Sequence, residues 1–201
     1  MRTILLACLT AAALTGCALL GKHDPVVPRY FAPEYVAAPG ANRAAAGRPL
    51  RLGRVEGWSN LRERWVVRSQ SGATSYAEDR RWTERPEIYL RRALSRALFE
   101  ERGLVEALAG RTVTLEVELV AFEELERPQR VRLQALLILR DDRLSLYQET
   151  VSAEQAVAPG DEGGRERALI EAYSAVLRAG VTRIADQVVT QLVSMPDQAS
   201  R

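Results

Sequence analysis

Histidine occurs once in this 201-residue chain, as His23, and cysteine twice, as Cys8 and Cys17. A Ser-His pair or a histidine-held metal centre needs its imidazole on a packed scaffold, whereas His23 lies in a proline-rich stretch just beyond Cys17. Lysine is nearly missing too: Lys22 stands alone, and arginine carries the rest of the positive charge. The formal net charge is only +2, too mild to point to nucleic acid. Past the N-terminal segment, no uncharged apolar run approaches the roughly 20 residues that span a bilayer. Gly160, Gly163 and Gly164 lack a following Lys-Ser/Thr and the fingerprint spacing, so they make no phosphate loop. These shortages point away from an enzyme, a metal or nucleotide cofactor and a nucleic-acid partner. What remains is globular: 47% apolar and 27% charged residues, in a chain of one-domain length that can bury roughly two-thirds of its unfolded surface.

The N-terminus is more specific. Met1-Arg2-Thr3 gives a short positive start, and Ile4 to Leu14 then runs without a charge. That is too short for a span and right for a secretion signal. It ends in Leu14-Thr15-Gly16-Cys17, which resembles the bacterial lipobox. Small Thr15 and Gly16 suit a narrow peptidase site. The Cys17 thiol is the one group there able to form a thioether to diacylglycerol. The expectation is cleavage between Gly16 and Cys17 and lipidation of Cys17, with acyl chains of the palmitate kind. Cys8 leaves with the signal and Cys17 is blocked, so the mature chain has neither free thiol nor disulfide even in an oxidising periplasm. Two or more acyl chains anchor stably where one does not. Ala18 in place of Asp resembles the signal for export to the outer membrane. No attached group is expected beyond the covalent lipid.

The chain divides into a signal peptide (1–16), a lipidated tether (17–28), an α+β domain (29–194) and a polar tail (195–201). Pro25, Pro28, Pro33, Pro39 and Pro49 disfavour helix early on. Arg29-Tyr30-Phe31 reads as a short edge strand, and Ala37 to Gly47 as a flexible loop. Leu50 to Val55 is a strand, and Arg64 to Arg68 pairs with Thr74 to Glu78 across a Ser71-Gly72 turn. A helix is expected from Arg85 to Arg102, with Pro86 in its first turn, Leu90, Leu94, Ala97 and Leu98 on one face, and Gly103 at its end. Three alternating segments follow: Thr112 to Phe122, Val131 to Leu139 and Leu144 to Ala153, an antiparallel meander with one wet face. In the first, Val113, Leu115, Val117, Leu119 and Ala121 are expected on the core side. A long helix from Arg165 to Ser194 carries an apolar stripe including Leu169, Val176, Ile184, Val188 and Leu192. The expected fold is α+β: an antiparallel sheet with two helices packed on one face.

Asp141-Asp142 reads as a turn, and Glu123, Glu124 and Glu126 as a solvated run at a strand end rather than acid–base pairs. Arg43 to Arg68 carries seven Arg and two Glu, while Glu116 to Glu126 carries five Glu and no base. These two stretches either neutralise one another within the chain or join copies into a homo-oligomer ring. Trp58, Trp65, Tyr76, Trp82 and Tyr89 cluster within the sequence. They either cap the core or line a groove for an acyl chain or a partner segment.

Leu50 to Val55, the hairpin, and Tyr76 followed by Trp82-Thr83-Glu84-Arg85-Pro86 and a Leu-rich helix resemble the ABC-type transport auxiliary lipoproteins. Those are outer-membrane partners of MCE-domain lipid transporters of the Pqi type. The resemblance implies a non-enzymatic role: a lipid-anchored domain at the periplasmic face of the outer membrane, docking an MCE-domain transporter protein. The competing reading is a lipoprotein activator of a cell-wall synthase, which usually needs a longer tether. About thirty residues reach at most about 100 Å here, and less if Tyr30 lies in a strand.

Overall fold

The structure is a computed structural model that describes residues 25–37, 40–160 and 162–195. The signal peptide, the Gly16–Cys17 site, His23, most of the tether and the tail after Met195 lie outside the described residues.

The sheet is built around one strand. β6 (Thr114–Leu125) pairs along one edge with β7 (Arg130–Arg140), which pairs with β8 (Ser145–Ala156); both pairings are antiparallel. This is the expected meander: β7 is one residue longer at each end, and β6 and β8 begin one or two residues later and end three residues later than expected. The other edge of β6 is shared. Thr114 to Leu119 pair with β2 (Pro49–Gly57), and Glu123 to Leu125 with β3 (Arg64–Arg68). β3 forms the expected hairpin with β4 (Thr74–Trp82), β4 carries the short strand β1 (Arg29–Phe31) at its outer side, and β5 (Val105–Glu106) borders β2. The eight strands of the described residues form one sheet.

The purely antiparallel sheet of the sequence reading needs correction. β1–β4, β2–β5, β2–β6 and β3–β6 are parallel, so the sheet is mixed, though most of its pairing length is antiparallel. Parallel neighbours require a crossover, and helix α1 (Pro86–Ser95) supplies it between β4 and β6. Alternation reveals which face a side chain takes and is silent on strand direction. Pro86 opens α1 as expected, but the helix is not α-helical to Arg102: Arg96–Glu101 winds as a π-helix, closed by Gly103 at φ +71°. The expected free loop 37–47 is also fastened where described. Ala45 is 1% exposed, Arg43 Nε donates to the Glu101 carbonyl at 2.8 Å and Gly47 N to that of Gly103.

Helix α2 (Glu162–Ser194) covers β7 and β8 and touches α1, so both helices share one sheet face. Leu115, Val117 and Leu119 of β6 and Val131, Leu133, Ala135, Leu137 and Leu139 of β7 are buried under the α2 stripe Leu169, Val176, Ile184, Val188 and Leu192. Gly180 marks a close approach of α2 to the sheet, since a Cβ there would stand 2.8 Å from Leu133 Cδ2.

One residue breaks the expected alternation. The β6–β7 register shifts between Leu119, opposite Ala135, and Ala121, opposite Gln134. Val120 is the extra residue of a β-bulge. Phe122 and Glu124, opposite Leu133 and Val131, take the helix side after it. Ala121, expected on the core side, takes the open side, and so does Glu123.

Candidate docking groove and its buried carboxylates

Glu123 and Glu124 were expected in water, yet they are 0% and 1% exposed. Being neighbours in a strand, they leave it on opposite faces. Glu124, on the helix side, accepts from Arg80 Nη1 at 3.2 Å and from Arg165 Nη2 at 2.9 Å. Glu123, on the open side, accepts from Arg68 Nε at 3.0 Å and from the Nε and Nη2 of Arg132. A buried carboxylate is tolerated when paired and hydrogen-bonded, and each here has two guanidinium partners. Glu116 is met by Arg140 at 3.7 Å. Three of the five acidic residues are thus paired inside the chain, but Arg68 alone comes from the basic stretch; Arg80, Arg132, Arg140 and Arg165 lie outside it, so the two stretches do not simply neutralise one another.

On the helix side the ion pair adjoins an aromatic cluster. Trp65 and Trp82 stack at 4.5 Å, Tyr173 stands edge-on to both at 5.0 and 4.7 Å, and Phe122 and Phe31 complete the packing. The Arg80 guanidinium lies 5.0 Å from the Trp65 ring centre, a cation–π contact. Burial, reinforced by the charge of Glu124, pushes the Tyr173 phenol well above its ordinary range. The indole N–H groups of Trp65 and Trp82 and the Tyr173 hydroxyl have no hydrogen-bond partner among the described residues.

On the open side the same strands frame a groove of about 340 Å³. Arg132 and Gln134 of β7, Val120 and Ala121 at the bulge, Arg68 of β3, Thr74 and Tyr76 of β4, and Trp58 and Asn60 after β2 line it. Trp58 is 53% and Tyr76 39% exposed, and the Arg64 guanidinium sits 5.4 Å from the Tyr76 ring centre. Both readings of the aromatic run thus hold for part of it. Trp65, Trp82 and Tyr89 cap the core, and Trp58 and Tyr76 wall a groove.

Asp141 is the expected turn residue. Its Oδ1 accepts the backbone N–H groups of Arg143 and Leu144, which hold its carboxyl below the usual range. Among the described residues no group of three or more His, Cys, Asp or Glu is placed to hold a metal, and no helix is long and apolar enough to cross a membrane. The chain entering from the tether is clamped at the sheet edge. Arg29 bonds Asp79 and Glu166, Glu34 N donates to Ser174 Oγ at 2.9 Å, and Tyr35 donates to Glu101 at 3.1 Å. Burial and the Glu101 charge push the Tyr35 phenol up to about 12.

The sequence reading offered Trp58 and Tyr76 as groove walls but missed Arg68, Arg132 and Gln134 beside them, because the bulge that turns Ala121 and Glu123 outward has no local signature. The nearest signal was a Glu-Glu pair inside a strand, a placement that calls for cationic partners on both faces.

No family model and no curated protein matches the sequence. Solved structures do. The fold is similar to that of protein XCC0632 of the DUF330 family from Xanthomonas campestris, with a TM-score of 0.65 at 16% identity over 81% of this chain and 96% of that one. An uncharacterized protein aligns at 0.62 and 15% identity over 83% and 99% of the two chains. The hypothetical protein CT253 from Chlamydia trachomatis aligns at 0.51 and 11% over 74% and 99%. At such identities the likeness is one of fold.

Proposed function

We propose that the chain is a non-enzymatic lipoprotein, held by acylated Cys17 at the periplasmic face of the outer membrane, that docks the periplasmic part of an ABC-type, MCE-domain lipid transport system. The observation that carries the reading is the order of parts: a lipobox-like Leu14-Thr15-Gly16-Cys17, a short tether, then a strand clamped to the domain. Because β1 already begins at Arg29, the free tether from Cys17 spans about 40 Å at most, well below the reach of the longer stretch considered from sequence. A partner must therefore meet the domain close to the membrane. That supports a transporter assembly contacting the membrane over a synthase activator reaching across the periplasm. The resemblance of Trp82-Thr83-Glu84-Arg85-Pro86 and its helix to the auxiliary lipoproteins supports the same choice.

Two measurements test it. Replacing Cys17 by Ala is expected to abolish incorporation of labelled palmitate and to leave the signal segment uncleaved, read as a larger mass; a variant that still incorporates palmitate sinks the anchor. Crosslinked membranes are then solubilised and the tagged chain recovered. An MCE-domain protein with its permease is the expected partner, and a peptidoglycan synthase in its place overturns the transport reading.

A further inference from the structure

We propose that the groove on the open sheet face binds an acidic, extended segment of a partner protein. Its walls are of the types that dominate binding energy at protein interfaces, Trp, Tyr and Arg, and its one tryptophan is half exposed on a chain whose other two are 0% and 1% exposed. Its charge is unbalanced. Its lining holds two guanidinium groups and no carboxylate: Arg68 and Arg132 share the single carboxylate of Glu123 beneath it, while Glu154, opposite Arg132, is paired with Arg130. Arg68 uses Nε on Glu123 and Nη1 on the Gly72 carbonyl, and Arg132 uses Nε and Nη2 on Glu123. That leaves Arg68 Nη2 and Arg132 Nη1 without a partner among the described residues, on two side chains that line the groove. A guanidinium with free donors recognises a carboxylate by charge-assisted hydrogen bonds.

The remaining lining separates a peptide from an amphiphile. Asn60 and Gln134 each offer a donor pair and an acceptor, which match a peptide backbone and have no counterpart on an acyl chain. Val120 and Ala121 are the only aliphatic residues in the lining, so a fatty tail would meet mostly polar and aromatic side chains. Complementary charge then sets the sign of the segment, and side-chain contacts rather than strand addition set its register, since β3, β6 and β7 all have neighbours on both edges. The inference deepens the docking role and rests on it for where the partner comes from.

The test uses the full lipidated chain in detergent, with Trp58 as its own reporter. The probes are two sets of capped nonapeptides, one with Asp or Glu at three positions between Leu and Tyr, the other with Lys at those positions. Expected is a saturable change of Trp58 emission with the acidic set, at least tenfold tighter than with the Lys set and weakened by salt. Gln134→Glu and, independently, Asn60→Asp are expected to weaken it about tenfold while the circular dichroism spectrum is unchanged. Arg68 and Arg132 are left alone because they also hold Glu123. Equal response to both sets overturns the proposal. So does a larger response to phosphatidylglycerol vesicles, which assigns the groove to lipid, or a change with protein concentration alone, which assigns it to a second copy. The peptides test the groove without any transporter, so its failure and that of the crosslinking experiment are separate results.

Discussion

Glu123 and Glu124 are the same residue type at consecutive positions of one strand, each with two arginines, and they do different things. Glu124 is shut in by the core. Arg80 is flattened over Trp65, and Tyr173 and Trp82 stand close by. Glu123 is held by Arg68 and Arg132, and those arginines line an open groove. The tryptophans repeat the contrast, Trp82 at 1% exposure on the helix side and Trp58 at 53% on the other. One face uses charge to complete a packed interior, and the other uses a buried carboxylate to hold cations in position at a surface. Complete burial of a charged group therefore does not say whether its partners serve the fold or a ligand. What the partners border does: Arg68 and Arg132 line the groove, whereas Arg80 lies against Trp65 and the 51%-exposed Arg165 lines no part of the groove.

The contrast breaks most visibly at the tryptophans. Trp82→Ala is expected to lose about 3–5 kcal/mol in urea unfolding, Trp58→Ala less than about 0.5 kcal/mol; similar losses would make the faces equivalent. The carboxylates come next. Glu124→Gln strands Arg80 over Trp65 and is expected to cost about 3 kcal/mol. Glu123→Gln should cost about 1–2 kcal/mol, because Arg68 and Arg132 can turn into the groove and hydrate. The order of the two urea midpoints decides. A smaller effect probes a close helix–sheet contact. Gly180→Ala crowds Leu133, a cost of about 1–2 kcal/mol set against about 1 kcal/mol of helix propensity. It should be mildly destabilising alone and stabilising when Leu133→Ala removes the crowding, a coupling read in a double-mutant cycle.

The smallest effect is at the edge. Arg29 holds the Asp79 carboxyl below its ordinary 3.8. A depressed folded-state value means that this contribution is present above the unfolded value and is lost as pH falls through the folded one. Below about pH 4, amide exchange at Thr83, which donates to the Phe31 carbonyl, should therefore accelerate relative to the β6–β7 amides. Parallel behaviour of the two would detach Asp79 from the edge.

Patterns that are local were legible. The β3–β4 turn follows from Ser71-Gly72, with Gly72 at φ +84°. The meander follows from alternation in β7, where no residue interrupts the pleat, and the core stripe of α2 follows from helical spacing. What was illegible depends on where distant strands meet. Val120 looks like any strand residue, yet the register shift beside it sends Glu123 and Ala121 to the open face. The parallel alignment of β2 and β3 with β6 is decided by the path of α1. The burial of both glutamates needs Arg68, Arg80, Arg132 and Arg165, drawn from four elements, and no spacing rule joins those positions.

The edge strand also has a mechanical meaning. Any load passing between the Cys17 end of the chain and the domain enters through Arg29 to Phe31, three residues in parallel register with Arg80 to Trp82. Behind that grip stand the Glu34–Ser174 and Tyr35–Glu101 bonds, which tie the same segment to α2 and to the π-helical turn. Phe31 packs 5.2 Å from Trp65, so a pull strong enough to peel the strand uncovers the first ring of the aromatic cluster. Tension on the proposed anchor and integrity of the core would therefore be borne by the same few residues.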